Sequence, residues 1–253
     1  MRMTITLAAL LLALTAPLAQ ADPSAKEIVG KMLDQPSPAH AVAVVKMTLS
    51  GGTGGVRQLT SYIRKDNGRT RSVVKFQEPA DYRGAGILVL EKEGGEMDRF
   101  LRLNGQKRVR RLPAGSNKGS FLGTDFSYED LDGRTGIRND KHSMLREEVF
   151  GGQPCWVIET TPREESGSAW KRIVQWIRKD NYVPIQMEFY DDGDKPAKRL
   201  VVDEMKNVDG FWISTRSRMS TVEKGTSTQL EVLKTDFKTD IADSTFTERF
   251  LLE

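Results

Sequence analysis

The chain has 253 residues, with 38 lysines and arginines against 35 aspartates and glutamates, and a net charge of +3 is too small an excess to point to nucleic acid as a partner. A single cysteine, Cys155, excludes an internal disulfide, so the fold must rest on an apolar core. The length allows one large β domain or two small ones.

Arg2, the apolar run 5–14 and Ala19-Gln20-Ala21 have the layout of a secretory signal, which predicts a leader over residues 1–21 and an exported mature domain over 22–253. The run is too short for a permanent membrane span. An acyl anchor after the cleavage site would need a cysteine there, and the only one is Cys155. Cleavage before Asp22 would leave a soluble chain of charge +2.

The mature chain opens with Pro23 and the capping box Ser24-Ala25-Lys26-Glu27, followed by Ile28, Val29, Met32 and Leu33 at helical spacing. Beyond Pro36 and Pro38 the period changes to two, which predicts strands over 43–49 and 56–64 with a glycine loop between them. Further strands are expected over 70–76, 86–91, 98–103 and 107–112, with Asn67-Gly68 and Asn104-Gly105 as hairpin turns. After residues 116–138 the pattern resumes over 144–150, 155–161, 169–178, 182–190, 199–205, 211–219 and 227–236, with Asp209-Gly210 marking a turn, and a helical turn over 244–250 closes the chain. So many antiparallel strands must curl, because a flat sheet would expose two long edges. The expected fold is mainly β: one curved antiparallel sheet forming an unclosed barrel, with a short N-terminal helix and a central lid segment.

Residues 107–131, KRVRRLPAGSNKGSFLGTDFSYEDL, are the densest in unusual side chains. Four cations surround Val109 and Leu112, and then Phe121, Phe126 and Tyr128 are interleaved with the acids Asp125, Glu129 and Asp130. Arg110 or Arg111 paired with Asp125 or Asp130 would tie this segment to the sheet; the other reading of the arginines is an anion site, since guanidinium forks hold carboxylate or phosphate. The tie stands ahead of the ligand role. Together with FQEPADYRGAGILVL at 76–90, the segment resembles the outer-membrane lipoprotein-sorting family, the LolA-like periplasmic carriers. The likeness lies in the order Phe, Pro, Arg-Gly, apolar strand, Arg-Arg-Leu-Pro and Ser-Phe-Leu-Gly-Thr-Asp-Phe-Ser-Tyr-Glu-Asp-Leu.

That resemblance implies an apolar cavity under a helical lid and a non-enzymatic periplasmic carrier of lipoprotein acyl chains or other lipids. It further implies a membrane lipid exporter of the resistance-nodulation-division type as partner. In such carriers an arginine of an early strand contacts the lid; Arg57 and Arg64 are the candidates, and no motif selects either. The lipid-facing row expected here is Val183, Ile185, Met187 and Phe189, alternating with Gln186, Glu188 and Tyr190, with Phe121, Phe126 and Trp176 as further lining. These aromatics could equally be solid core. A monomer without cofactor is expected.

A second reading is a lipid-sensing module, because a periplasmic regulator of an anti-sigma factor shares this type of fold. A third, a hydrolase acting through Asp125 or Asp130, lacks a partnered base or metal site. His40 and His142 stand near no nucleophile elbow and at no metal-ligand spacing. Cys155 sits in an apolar strand, where a thiol packs as a small hydrophobe. Asp191, Asp192 and Asp194 lack the rest of a calcium loop, and the glycines at 51–55 introduce no phosphate-binding helix.

Overall fold

The computed structural model describes residues 22–253 apart from 53, 114 and 133–136. The leader expected over 1–21 lies outside the described residues.

Helix α1 (Ala25–Leu33) begins at the capping box: the Glu27 N–H donates to Ser24 Oγ at 3.3 Å, and the Ser24 N–H donates to the Glu27 carboxylate at 2.7 Å. The bonds from Ser24 hold the Glu27 carboxyl below its usual range. Nine residues are too few for a stable isolated helix, so packing must hold it. Ala25, Ile28 and Val29 supply that contact against Trp156, Ile158 and Ile177.

One meander comprises β1 (His40–Ser50), β2 (Gly55–Asp66), β3 (Arg69–Glu78), β4 (Gly86–Glu91), β5 (Met97–Arg102) and β6 (Arg110–Arg111). A second comprises β7 (Lys141–Phe150), β8 (Gln153–Thr161), β9 (Arg172–Arg178), β10 (Pro184–Tyr190), β11 (Lys198–Val208), β12 (Phe211–Thr221) and β13 (Thr226–Asp236). The first and last strands pair, with Met47 opposite Leu230, and so join both meanders into one antiparallel sheet of 13 strands, in the order β6-β5-β4-β3-β2-β1-β13-β12-β11-β10-β9-β8-β7. β6 and β7 are its two ends and do not pair with each other, so the barrel stays open. These edge strands are consecutive in the chain. The segment between them has to run from one free edge of the sheet to the other.

Two of the hairpins turn as the sequence predicts. Asn67-Gly68 and Asp209-Gly210 both have positive φ at each central residue (50° and 73°, 52° and 90°), the backbone that a two-residue hairpin turn requires. The pleat sends neighbouring residues to opposite faces. Val74 and Ile87 join the cluster of Met47, Leu59, Phe76 and Met219, while the adjacent Val73 and Leu88 join Ile241, Phe246 and Leu251. A 3-10 turn (Asp243–Phe246) and α3 (Glu248–Leu252) supply Phe246 and Leu251 and, with Ile241 just before them, cover that outer face.

Three expectations need correction. The strand expected over 107–112 shrinks to Arg110–Arg111, and Asn104-Gly105 is not a tight hairpin turn but part of a wider loop from Leu103 to Val109. Asn104 Nδ2 donates instead to the carbonyls of Ala80 and Asp81, at 3.1 and 2.6 Å. A run of four cations at a sheet end repels itself, and no further strand pairs there to offset that. The strand expected over 182–190 begins at Pro184, and an extra residue between Pro184 and Gln186, opposite Ile177 and Trp176, breaks its alternation.

Candidate functional site

The connection from β6 to β7 folds back across the sheet. A 3-10 turn (Ser116–Lys118) leads into a small loop closed by the Ser120–Ser127 bridge and by the Phe121 N–H donating to the Phe126 carbonyl at 2.8 Å, and α2 (Tyr128–Asp132) follows. Gly119 leaves room that no other residue could, because a Cβ there would lie 2.8 Å from the Tyr128 ring. The loop presents Phe121 and Phe126 to the apolar face made by Leu49, Leu59, Phe76, Ile87, Val89, Leu101, Ile173 and Phe189. Phe121 is fully buried, 5.6 Å from Phe76 and 6.2 Å from Tyr128 between ring centroids. Burying one such ring stabilises the contact by roughly 2 to 3 kcal/mol. Burial also raises the Tyr128 phenol above its usual pKa, with a partial offset from Arg110.

Polar ties fasten the segment at separate points. Arg57 of β2, only 4% exposed, donates from Nη1 to the Leu122 carbonyl at 2.6 Å and from Nη2 to Tyr82 Oη at 2.7 Å. Its guanidinium also lies 3.7 Å from the centre of the Tyr82 ring. Burial lowers the Arg57 pKa from its ordinary value, and Tyr82 opposes that shift. Leu122 itself has φ of 49°, a conformation a non-glycine residue holds only where its surroundings demand it.

Asp125 is the second tie. Its carboxylate accepts from Thr221 Oγ1 at 2.7 Å, Thr226 Oγ1 at 2.5 Å and Thr228 Oγ1 at 2.7 Å, while its own N–H donates to Thr228 Oγ1 at 3.0 Å. Thr221 and Thr226 face each other across the β12–β13 pair, and Thr228 lies two residues on, so one face of the hairpin offers all three hydroxyls. Asp130 accepts from the Ser127 N–H and Oγ at 2.6 and 2.7 Å, which ties the first turn of α2 back to the residue before it, and pairs with Lys198 at 3.4 Å. Glu129 accepts from Ser168 Oγ and the Ala169 N–H, both at 2.8 Å.

The expected tie to the basic strand does not form. Arg111 pairs with Asp98 on the neighbouring strand, and the Arg110 side chain is exposed. The hydrogen bond from Arg111 holds the Asp98 carboxyl below the usual carboxylate range. Both arginines sit at the sheet's end, whereas Asp125 and Asp130 are turned inward to β11, β12 and β13. The three acids of the segment are thus all engaged, mostly by hydroxyls and backbone donors that charge counting along the sequence could not single out. The signal available for Asp125 was Thr226 and Thr228 two apart on one strand face.

The expected lipid-facing row divides. Met187 and Phe189 pack with Phe121, Phe126 and Trp170, but Ile185 packs with Trp176, Val174 and Tyr190 in a separate cluster, because the extra residue at the start of β10 interrupts the alternation. Trp176 lies apart from the segment as well: its indole N–H donates to Glu148, and Arg146 lies over its ring. Val183 precedes β10, its carbonyl accepting from the Arg178 N–H at 3.0 Å.

A cavity of about 560 Å³ opens where the segment leaves the sheet, lined by Met97, Arg99, Arg111, Leu112, Asn117 and Glu129 among others. Asn117 Oδ1 is buried there without a hydrogen-bond partner among the described residues, while its Nδ2 donates to the Gly167 carbonyl. Outside the cavity, Asn181 Nδ2 and Thr215 Oγ1 are likewise buried without a partner among the described residues. His142 is held between Thr160 Oγ1 and the Ile137 carbonyl, both at 2.9 Å, and burial raises the Cys155 thiol pKa, which suppresses its thiolate. Among the described residues no three His, Cys, Asp or Glu side chains stand together as a metal site, and no helix is long and apolar enough to cross a membrane.

A family model described as that of an uncharacterized protein matches residues 68–253. The chain belongs to that family, and its fold is LolA-like. A DUF1329 family protein from Desulfovibrio piger is 24% identical with a TM-score of 0.84, over 90% of this chain and 97% of its own. A domain described as an outer membrane lipoprotein-sorting protein, from Vibrio parahaemolyticus, is 26% identical with a TM-score of 0.83, over 90% and 98%. A LolA superfamily protein from Nitrosomonas europaea is 20% identical with a TM-score of 0.71, over 90% and 100%. No curated protein matches the chain. The LolA-like architecture accounts for the central segment's course: an open barrel whose two edges are joined by its own cover.

Proposed function

We propose that this protein is a periplasmic, non-enzymatic carrier that shields the acyl chains of lipoproteins or other lipids, with the segment between β6 and β7 as the movable cover of the site. The observation that carries this reading is the way that segment is held. Phe121 and Phe126 lie on an apolar face by side-chain contact alone, while the polar bonds sit at a few points, Arg57 to Leu122 and Asp125 to three threonines. A cover attached in this way can lift without unpairing a strand. What it uncovers, Leu59, Phe76, Ile87, Val89, Leu101 and Phe189, is a continuous apolar surface suited to hydrocarbon.

The energetics explain the need for a cover. Each methylene withdrawn from a membrane costs about 0.8 kcal/mol, or roughly 12 kcal/mol for a long acyl chain. A concave apolar face offsets that cost, and the two phenylalanines, returning once the ligand leaves, keep the empty face out of water. Met187, half-buried beside Phe189, adds an adaptable wall for chains of differing shape. The likeness to the lipoprotein-sorting domain of Vibrio parahaemolyticus supports the same ligand class, and the leader-like residues 1–21 support the compartment. A membrane lipid exporter of the resistance-nodulation-division type as donor, and a monomeric state, belong to this reading through the family resemblance.

Lipids co-purifying with the protein from its native periplasm, identified by mass spectrometry, test the proposal directly. Stoichiometric acylated species support it. Protein recovered without lipid that also fails to take up a fluorescent fatty-acyl probe would refute it.

A further inference from the structure

We propose that the loop at residues 107–111 docks this protein on a membrane surface that bears anionic phospholipid headgroups. Lys107, Arg108, Arg110 and Arg111 are all exposed, at the end of the sheet and beside the start of the cover. The loop is anchored by its one apolar residue: Val109 packs on the cluster of Phe246 and Leu251, while the cations around it stay exposed. Arg111 is paired with Asp98, and Glu96 is held by Lys92 at 2.8 Å. Lys107, Arg108 and Arg110 carry no carboxylate partner among the described residues, so their charge is available to a partner outside the chain. On the same corner α3, which packs on that cluster, exposes Leu252 as an apolar tip, while its Arg249 is paired with Glu253 at 3.6 Å and adds no free cation.

Small net charge does not weaken this, because a headgroup layer responds to local charge within a Debye length, about 10 Å at 0.1 M salt. Each basic side chain near such a surface strengthens binding about fivefold. Three together are worth about a hundredfold. The geometry gives the contact a purpose: the next residues, Arg111, Leu112 and Pro113, line the cavity at the mouth of the cover, so the docked orientation turns that mouth to the bilayer. The inference builds on the carrier reading, which supplies the reason to approach a membrane, but its test is separate.

The test is co-sedimentation of the full chain with vesicles of phosphatidylcholine alone and with added phosphatidylglycerol, at low and high salt. The variant is Lys107→Gln/Arg108→Gln/Arg110→Gln, with melting and uptake of a soluble acyl probe measured on the same samples. The expected result is binding to phosphatidylglycerol vesicles only, lost at high salt and weakened about a hundredfold in the variant, with melting and probe uptake unchanged. Equal binding to neutral vesicles, undiminished binding by the variant, or no binding to anionic vesicles, even where the loop captures an acidic protein, would overturn the docking proposal. A parent chain that binds anionic vesicles through these three residues but takes up no acyl probe would leave docking standing and remove the carrier reading.

Discussion

Arg57 Nη1 donates to the Leu122 carbonyl at 2.6 Å, joining residues 65 apart in sequence and fixing the cover to the second strand of the sheet. A buried guanidinium is costly unless its donors are used, and here Leu122 and Tyr82 use them from two sides. The bond would therefore have to break for the cover to lift as the carrier reading requires.

Arg57→Leu should leave the sheet folded and loosen the cover. A hydrogen bond from a charged donor contributes about 1.5 to 3 kcal/mol, so amide exchange over residues 119–128 should speed up by one to two orders of magnitude while strands β8 and β9 keep their protection. Arg57→Lys should not restore the parent, since one ammonium cannot reproduce the planar two-sided contact. Uniformly faster exchange over the whole sheet would show that Arg57 is a core residue and not a latch.

The threonine clasp makes a sharper demand. Thr228 Oγ1 both donates to the Asp125 carboxylate and accepts from the Asp125 N–H, so Thr228→Val breaks two bonds and strands a buried carboxylate oxygen. We expect a loss on the order of 2 to 4 kcal/mol in denaturant unfolding, and a smaller loss for Thr221→Val, which removes one donor of three. Equal effects of the two substitutions would contradict the bonding described.

Divergent outcomes are expected within the row that the sequence groups together. Met187→Glu should abolish acyl-probe binding in a protein that still melts cooperatively, because Met187 is only half-buried at the site. Ile185→Glu should destabilise the fold by several kcal/mol, because it places a carboxylate in the closed cluster with Trp176. Unimpaired probe binding by a folded Met187→Glu protein would mean that the acyl chain lies elsewhere.

Tyr190 supplies a pH signature. Burial first, and then the hydrogen bond to Glu188 at 2.7 Å, push its phenol up to about 12. The folded pKa lies above the unfolded value near 10, so this stabilisation is fully present below about pH 10 and is lost as pH rises towards 12. Ultraviolet titration should show a last phenolate phase near 12 that Tyr190→Phe removes. Persistence of that phase in the variant would assign it to another tyrosine.

Replacing Arg111 by alanine should leave the melting temperature unchanged. Its bond to Asp98 is at the exposed end of the sheet, where water and salt screen the pair. A large drop would return the arginine to the structural role that its position in the sequence first suggests.

Local patterns determined much of this protein. Alternation located the strands to within a few residues, the Ser24-to-Glu27 box placed the start of α1, and Asn67-Gly68 and Asp209-Gly210 turned as their side chains require, since each of these features is decided by neighbours in the chain. The order of motifs from Phe76 to Leu131 was enough to indicate a LolA-like open barrel. Only the tertiary structure decided the partners. Pairing of the first strand with the last makes β6 and β7 the free edges and sends their connection across the sheet; that closure depends on contacts nearly 200 residues apart, such as Met47 with Leu230. One extra residue before Gln186 separated Ile185 from Phe189, a displacement invisible to any periodicity that assumes a regular pleat. Asp125 found three hydroxyls and Asp130 a lysine instead of the nearby arginines, because a carboxylate is satisfied by whichever donors the fold brings within 3 Å or so, and sequence distance does not measure that.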